Sequence, residues 1–509
     1  MPMARWWKGI IQVTVPGGSR KYHVDVRSFM QHPASIADWC HWNAGPVTID
    51  MLPDDALLEL FDFFLRQNEC IDAWHPLVHV CQKWRNIVFG SPRRLNLHLH
   101  CTVKKPVREK LHVWPEFPIV IGQYGPPTSG LDSILAALEH RNRVCELVFR
   151  HISSSLWEKV LEAMQVPFPA LTRLDLVSED KTMPVVPDSF LGGSAAASSA
   201  PRLRSLYMTR IPFPGLPRLL SYATDLVDLE LYDIPQSGYI SPDTMITCLS
   251  TLTNLESLRL EFEQPRPRCI QESARPPPYT RSALPCLTHF NFRGVSEYLE
   301  DLVARMDSPF LDELHITFFN QLILDTPQLA QFISRTPNLK APNDVQVKLL
   351  DGAVQVLLGP MQQISIRAAC KAPDWQLSFV AQVCSSSLCL IPSLEHLYIC
   401  DDQYSRSRLE DDIENDQWLE LLRPFGTVKN LYLSRGVVPR IAPALQELVG
   451  QRLTKVLPAL QGLLLEEPWP LGLVEEPHLS GTVRGTIEKF VASRLLHGHP
   501  IAVSHWDRK

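Results

Sequence analysis

The stretch LESLRL, residues 255–260, places leucine at its first, fourth and sixth positions. Eight further copies share this spacing of apolar residues, and weaker copies begin at Val144 and Met361. The eight begin at Leu171, Leu203, Leu226, Leu287, Leu311, Leu394, Val428 and Leu460. Because successive side chains of a strand point to opposite faces, the fourth and sixth residues of each copy share one face. The pattern predicts one short, half-buried strand per copy.

Segments with helical periodicity lie between several copies. Four of them are SSLWEKVLEAM (154–164), SEYLEDLVARM (296–306), TPQLAQFISRT (326–336) and NDQWLELLRPF (415–425). A helix that connects two strands lets them run parallel in one sheet. One strand–helix unit cannot bury its apolar side alone, so neighbouring units must stack into a curved solenoid with the strands on the concave side.

These copies resemble leucine-rich repeats, with two departures. Intervals of 32, 23, 29, 32 and 24 residues separate the copies from Leu171 to Leu311. The Asn or Cys that the consensus places after each strand is also absent. The chain is therefore expected to be α/β, with an irregular leucine-rich-repeat-like solenoid over residues 101–509. Two alternating runs that flank Asp351-Gly352 predict an inserted hairpin near residues 343–360.

The residues that alternate with the buried ones are expected on the concave face. Tyrosine and arginine are common among them, and these two types are favoured at protein interfaces. The candidates for binding a protein substrate are Arg173, Tyr207, Glu230, Tyr232, Arg259, Asn291, Arg293, His315, Tyr398 and Tyr432. The alternative interpretation is a solvated face that any sheet of this kind would carry.

The N-terminal stretch TIDMLPDDALLELFDFFLRQ, residues 48–67, predicts a helix that starts at Pro53. A second helical pattern, HPLVHVCQKWRNIVFGSP, follows at residues 75–92. The two helices can cover only one side of each other. An apolar patch on Leu57, Leu60, Phe61 and Phe64 is therefore expected to stay exposed for a partner protein. The alternative is that residues after 100 cover the patch and the helices only cap the solenoid.

Leu52-Pro53 and Leu57, followed by Val80-Cys81 and Trp84-Arg85, match an F-box in type and order. The resemblance covers about residues 48–92 and extends to F-box proteins of mushroom-forming fungi, although the connection RQNECIDAWHP is longer and more polar than usual. It implies an N-terminal helical F-box that docks on a Skp-type adaptor, which is bound in turn to a cullin and a RING protein. The adaptor-binding residues would be Leu52, Pro53, Leu57, Leu60, Phe61, Phe64, Val80, Cys81 and Trp84, with Trp84 nearer to the core of the F-box.

The resemblance implies a substrate-recognition subunit of a Skp-cullin-F-box E3 ubiquitin ligase, without catalytic activity, cofactor or metal of its own. The alternative is a non-ligase leucine-rich scaffold. The expected domains are a poorly ordered extension over 1–45, which could hold a hairpin about Gly17-Gly18, an F-box-like helical domain over 46–100, and the solenoid over 101–509.

Composition excludes several other functions. A net charge of -6 provides no basic stripe for nucleic acid. The chain contains no apolar stretch of the roughly 20 residues that a spanning helix needs. Its 12 cysteines form no C-x-x-C pair, and no signal peptide is expected, which favours the cytosol or nucleus. Common nucleotide-binding, metalloprotease and hydrolase motifs are missing, and Cys101 is expected on the strand face opposite His98 and His100, so these three cannot bind one metal ion by themselves.

Overall fold

The computed structural model describes the chain in segments. They are residues 10–15, 18–23, 52–67, 74–92, 94–95, 97–102, 111, 115–123, 131–150, 154–178, 184–195, 202–265, 281–319, 324–339, 343–359, 362–370, 373–387, 394–401, 414–448, 455–466 and 477–507. Two compact units divide the chain: residues 1–122 with 128–146, and residues 123–127 with 147–509. The predicted domain bounds at residues 45 and 100 stay predictions.

The smaller unit begins with the antiparallel strands β1 (Ile10–Val15) and β2 (Gly18–His23), in which Val15 lies opposite Gly18, as the predicted hairpin requires. Three helices follow: α1 (Asp54–Gln67), α2 (His75–Val78) and α3 (Gln82–Gly90). Strands β3 (Leu99–Cys101) and β4 (Ile119–Gln123) pair in parallel and precede helix α4 (Leu131–Leu138).

Helix α1 starts directly after Pro53, and its first turn carries Asp54 and Asp55 at the positive end of the helix dipole. The ring of Phe61 packs against Trp84 of α3, with 4.7 Å between centroids. Leu57 and Phe61 are only 0% and 2% exposed. The expectation that these two belong to an exposed patch is wrong, because both side chains are covered within the folded chain.

The larger unit is built on a sheet of mostly parallel strands, and the boundary between the units falls within β5. The strands are β5 (Val144–Arg150), β6 (Arg173–Val177), β7 (Ser205–Thr209), β8 (Asp228–Ile234), β9 (Ser257–Phe262), β11 (His289–Gly294), β13 (Glu313–Phe318), β14 (Asp344–Leu350), β15 (Ala353–Leu358), β16 (Ile364–Ala369), β17 (His396–Asp401), β18 (Asn430–Leu433), β19 (Gly462–Glu466) and β20 (Ala502–Trp506). Two short strands, β10 (Ser282–Ala283) and β12 (Met306–Asp307), form a separate parallel pair.

Helices connect these strands, and neighbouring helices pack on each other along the chain. They are α5 (Ser154–Ala163), α6 (Leu216–Tyr222), α7 (Pro242–Leu249), α8 (Ser296–Val303), α9 (Pro327–Arg335), α10 (Pro373–Gln382), α11 (Asn415–Leu422), α12 (Val438–Gln446) and α13 (Pro477–Leu496). Short 3-10 helices span Phe190–Ala195 and Gln236–Gly238, and a π-helical turn spans Val383–Ser387. The four helical segments predicted from periodicity are confirmed as α5, α8, α9 and α11.

The predicted strands are confirmed, and the backbone joins successive copies in one repeated way. The N–H groups of the second and third residues of a copy both donate to the carbonyl of the second residue of the copy before it, at 2.7–3.1 Å. The pairs of donors and their acceptors are Arg204 and Ser205 to Thr172, Val227 and Asp228 to Arg204, Glu256 and Ser257 to Val227, Thr288 and His289 to Glu256, and Asp312 and Glu313 to Thr288. The fixed register brings equivalent positions of neighbouring copies side by side.

A turn leads into each of seven copies. The N–H of the first residue donates to the carbonyl of the residue three positions earlier, as in Leu255 to Leu252 at 3.2 Å and Val428 to Phe425 at 3.2 Å. The accepting residue is at most 1% exposed in all seven copies. These residues are Phe168, Ala223, Leu252, Leu284, Ser308, Phe425 and Leu457. The core of each copy therefore includes a position that the Leu-x-x-Leu-x-Leu pattern leaves out.

The hairpin predicted near residues 343–360 is present, and it lies within the sheet. Strands β14 and β15 pair antiparallel, and Gly352 in their turn has a φ of 71°, which is the left-handed conformation that glycine adopts at low cost. Strand β15 pairs antiparallel with β16, which in turn runs parallel to β13. The order of strands in this region is therefore β17-β14-β15-β16-β13.

A carboxylate connects two neighbouring helices. Glu300 of α8 accepts hydrogen bonds from the N–H groups of Gln328 and Leu329 in the first turn of α9, each at 2.8 Å. Burial raises the pKa of Glu300 to about 7, and the nearby carboxylates of Asp325 and Asp301 add to the rise, although the two amide donors oppose it. The side chain thus satisfies two amides that a helix N-terminus leaves without a partner.

Among the helices in the described segments, none is both long enough and apolar enough to cross a membrane.

Candidate functional site

The candidate site lies on one face of the sheet in the larger unit. The fourth and sixth residues of the copies, such as Leu258 and Leu260, are buried on the other face. We call the face that carries the third, fifth and seventh residues the open face. Strand register aligns its central row in the order Asp175, Tyr207, Glu230, Arg259, Asn291 and His315. The predicted substrate-binding residues of these strands therefore lie side by side.

An ion pair marks the β5–β6 end of the open face. The Asp175 carboxylate is fully buried, and its Oδ2 lies 2.5 Å from Arg150 Nη2 and 3.8 Å from Arg173 Nη2. The Arg150 guanidinium also lies 5.6 Å from the centroid of the Tyr207 ring, within the range of a cation–π contact. Arg150 thus shares the buried Asp175 carboxylate with the predicted residue Arg173. It also contacts the ring of the predicted residue Tyr207 directly.

Tyr207, Glu230, Tyr232 and Arg259 form one polar and aromatic cluster. The rings of Tyr207 and Tyr232 are 4.9 Å apart, and the Tyr232 hydroxyl donates to Glu230 Oε2 at 2.6 Å. The Arg259 guanidinium donates to the Tyr232 hydroxyl and lies 4.8 Å from the centroid of its ring. Burial and the hydrogen bond to Glu230 raise the pKa of Tyr232 to about 12. Tyr232 therefore keeps its proton at neutral pH and presents a ring whose polar end is already satisfied.

Two arginines share one carboxylate where β7, β8 and β11 end. Asp233 Oδ2 lies 3.0 Å from Arg210 Nη2, and Asp233 Oδ1 lies 3.2 Å from Arg293 Nη1. Asp233 and Arg210 have φ values of 47° and 57°, a conformation that non-glycine residues adopt only at a cost. The structure thus holds the Asp233 carboxylate between two cations.

Histidine and acidic side chains lie near the start of the neighbouring strands. Glu313 Oε2 is 3.9 Å from His289 Nε2 and 3.5 Å from His315 Nε2. Burial raises the pKa of Asp228, and the carboxylates of Glu230 and Glu256 raise it further. Negative charge is therefore concentrated at this edge of the open face.

A second aromatic cluster lies toward β20. Tyr398 and Tyr432 stack with 4.1 Å between centroids and 19° between planes. Trp506 packs edge-on against both rings, at 5.7 and 5.5 Å, and the His396 ring lies 5.9 Å from Tyr432. Burial, with Tyr432 beside it, raises the pKa of Tyr398. The two predicted tyrosines thus act as one flat aromatic surface, and strand register places them on the same face as His315.

Sequence reasoning missed several members of these clusters, among them Asp233, Arg210, Arg150 and Trp506. Arg150 is the seventh residue of the weak copy that begins at Val144, and the seventh residue of a copy lies on the open face. The repeat pattern could therefore have identified it. Trp506 lies in IAVSHW, which has no Leu-x-x-Leu pattern, and only its pairing opposite Glu466 of β19 places it on the open face.

The predicted adaptor-binding residues differ widely in exposure. Leu57, Phe61 and Trp84 are buried, whereas Val80 is 48% exposed and Pro53 is exposed as well. Leu52, Leu60, Phe64 and Cys81 are partly exposed. Lys83 Nζ donates to the Leu52 carbonyl at 2.9 Å and ties the Leu-Pro segment to α3.

His98, directly before β3, and His100 within it do not form a metal-ligand cluster in the described segments. The rings of His98 and His100 lie 6.3 Å apart, while Cys101 is buried and its thiol donates to the Ser133 carbonyl at 3.4 Å. Within the described segments, no group of three or more His, Cys, Asp or Glu side chains is placed to hold a metal ion. The basic run at residues 104–110 lies outside those segments.

Comparison with known proteins gives weak likenesses only. No family model and no curated protein matches the chain. Among solved structures, the leucine-rich repeat-containing protein LegL7 from Legionella pneumophila matches with a TM-score of 0.24 and 13% identity, covering 72% of this chain and 97% of its own. A leucine-rich-repeat protein from Leptospira interrogans matches with the same TM-score and identity, covering 72% of this chain and 92% of its own. These values are too low to assign the chain to the family of either protein.

Proposed function

We propose that this chain is a non-catalytic recognition subunit of a Skp-cullin-F-box ubiquitin ligase, with the open face binding a protein substrate and helices α1–α3 docking on the Skp-type adaptor. The main support is the open face itself. Tyrosine and arginine are enriched where interfaces derive their binding energy, and here Tyr207, Tyr232 and Arg259 are held in place by contacts with one another. A preorganised surface loses less side-chain entropy when a partner binds.

A receptor of this kind needs no chemistry of its own. It holds a substrate close to a charged conjugating enzyme, and the transfer step then behaves as if the substrate were highly concentrated. The residues that catalyse the transfer would lie in other subunits.

The proposed adaptor surface differs from the one expected from sequence. Pro53 and Val80 are exposed, with Leu52 and Cys81 partly exposed. We assign the contact to these residues, whereas Leu57 is buried and Phe61 packs on Trp84 of α3. An exposed apolar group at such a surface loses water on docking, which is the main source of affinity.

A leucine-rich scaffold without a ligase role is the second candidate. The burial of Leu57 and Phe61 favours it, because two of the apolar residues offered for the adaptor are already covered in the folded chain. In this alternative the open face binds proteins, and α1–α3 serve only the stability of the smaller unit.

A pull-down with purified Skp-type adaptor separates the two candidates. Wild type is expected to capture the adaptor, and Val80→Asp is expected to reduce capture at least about tenfold, because a charge would be buried in an apolar contact. Val166→Asp is the matched control, since Val166 is also exposed, at 37%, but belongs to the larger unit. Adaptor capture that is absent from wild type, or equal in all three proteins, would reject the ligase role and leave the scaffold.

A further inference from the structure

The ion pairs of the open face stop at one place in the sheet. From β5 to β11 its arginines are matched by carboxylates, as Arg150 is by Asp175, Arg259 by Glu261 at 3.2 Å and Arg293 by Asp233. Among the described residues of the strands beyond β13, no arginine or lysine of the open face is matched in this way. Arg367 of β16 is exposed and Lys348 of β14 is partly exposed, and neither forms an ion pair in the described part of the chain.

Strand register places these cations in one row. Arg293 lies opposite Thr317, Thr317 opposite Arg367, Arg367 opposite Gln355, and Gln355 opposite Lys348. We call Arg293, Arg367 and Lys348 the basic strip. The hairpin creates it, because β15 and β14 bring Gln355 and Lys348 into the row.

The spacing within the basic strip is regular. Neighbouring strands are about 4.8 Å apart, so cations two strands apart are separated by roughly 9.6 Å. A polyproline II peptide has three residues per turn and rises about 3.1 Å per residue, so every third side chain lies on one side at intervals of roughly 9.3 Å. Acidic residues at every third position of such a peptide would match the strip.

We infer that the basic strip binds an extended acidic segment of the substrate, with Glu or Asp at every third position and a polyproline II backbone that runs across the strands. This inference deepens the proposed function, because it rests on the open face being the recognition surface and adds the class of segment recognised. Arg367 and Lys348 provide the two free contacts. Arg293 provides a third only when the incoming carboxylate displaces Asp233.

Carboxylates fit the strip better than a nucleic-acid backbone. Duplex DNA presents one charge per 1.7 Å of axis and is bound by long basic stripes. This strip has three cations, and Glu261 and Asp233 lie beside Arg293. Separate carboxylates about 9 Å apart can pair with Arg367 and Lys348 one at a time, and only the carboxylate that reaches Arg293 comes close to Glu261 and Asp233.

The test uses fluorescein-labelled peptides and the full-length protein. The probe is Glu-Pro-Pro-Glu-Pro-Pro-Glu, whose prolines favour polyproline II. One control has Gln in place of Glu, and another has three Glu at every second position. Fluorescence anisotropy in about 50 mM NaCl is expected to detect the first peptide, with at least about fivefold weaker binding of both controls. Binding should weaken further at about 500 mM NaCl, where screening acts within roughly 4 Å.

Variants identify the surface that binds. Arg367→Gln and Lys348→Gln are each expected to weaken binding by roughly 3–10-fold, as the loss of one partly exposed charged contact would. Arg423→Gln, at an exposed arginine after α11, should leave binding unchanged. Asp233→Asn should strengthen binding, because it frees Arg293, and asparagine tolerates the left-handed φ at this position.

Several results would overturn the inference. They are equal binding of the two Glu spacings, no effect of Arg367→Gln and Lys348→Gln, or tighter binding of an oligo-dT strand than of the peptide at equal salt. Circular dichroism of each variant excludes a loss of folding as the cause. The peptide titration requires no adaptor, so its failure leaves the adaptor pull-down unaffected, and a failed pull-down leaves the titration interpretable.

Discussion

At the scale of single residues, the buried carboxylate of Asp175 depends on one partner. Replacing Arg150 with alanine leaves this charge without its closest cation, and we expect a loss of about 2–3 kcal/mol in the free energy of unfolding, measured with urea. Arg173→Ala is the control, because Arg173 is half exposed and 3.8 Å away. That change should cost about 0.5 kcal/mol or less. Equal losses in the two variants would contradict the assignment of Arg150 as the main partner.

The raised pKa of Glu300 predicts that the protein becomes less stable as the pH rises. Most carboxyl groups, whose pKa is lowered by folding, have the opposite effect. Its pKa in the folded chain is about 7, against about 4.3 in an unfolded chain. The folded state therefore binds a proton that the unfolded state releases. The resulting stability is fully present below about pH 4.3 and is lost as the pH rises through 7, at up to about 1.4 kcal/mol per pH unit.

Urea unfolding of wild type and Glu300→Gln between pH 5 and 8 measures this contribution. The wild type should lose stability relative to the variant as the pH rises from 5 to 8. A constant difference across this range would contradict proton uptake by Glu300. Both proteins contain the same other titrating groups, so the comparison reports Glu300 together with its coupling to Asp325 and Asp301.

At the scale of the repeating element, the turn before the strand adds a buried residue to the core in seven copies. Leu252 is fully buried three residues before Leu255, whereas Thr253 beside it is exposed. We expect Leu252→Ala to cost about 2–5 kcal/mol in unfolding free energy, because it leaves a cavity. Thr253→Ala should stay within about 0.5 kcal/mol. A similar small effect of both substitutions would show that the turn is not part of the core.

The strands and four of the helices could be predicted because each follows from local periodicity. The position three residues before each copy, as in FPAL at 168–171 and LTNL at 252–255, was also readable, but it varies among Phe, Ala, Leu and Ser. The side chain at this position is buried because the turn is tight and because its volume fits the space beneath the turn. Several residue types meet these two conditions. A pattern defined by leucine alone therefore misses it.

At the scale of the whole molecule, the periodicity of the sequence indicates which apolar residues share one face of a helix or strand. It does not indicate how much of that face other parts of the chain bury. The exposed patch predicted on α1 was wrong for Leu57 and Phe61, which are both buried. The packing of Trp84 on Phe61 depends on how α1 and α3 meet, and the periodicity of either helix alone carries no signal for it. The same limit applies to the open face. Its residues were predicted from alternation, whereas the pairing of Arg293 with Asp233 depends on two copies 60 residues apart in the chain.

The strand order around the hairpin has a consequence for biosynthesis. Strand β13 pairs with β11 on one side and with β16, rather than β14, on the other. The 51 residues from 319 to 369 must therefore be synthesised after β13 before β16 is complete. At roughly 5–20 residues per second, a ribosome needs about 3–10 s for this length. Earlier strands can join the nascent sheet one after another, but β13 waits with one side unpaired. During this interval the growing sheet ends in an unpaired strand edge, which is a template for wrong pairing.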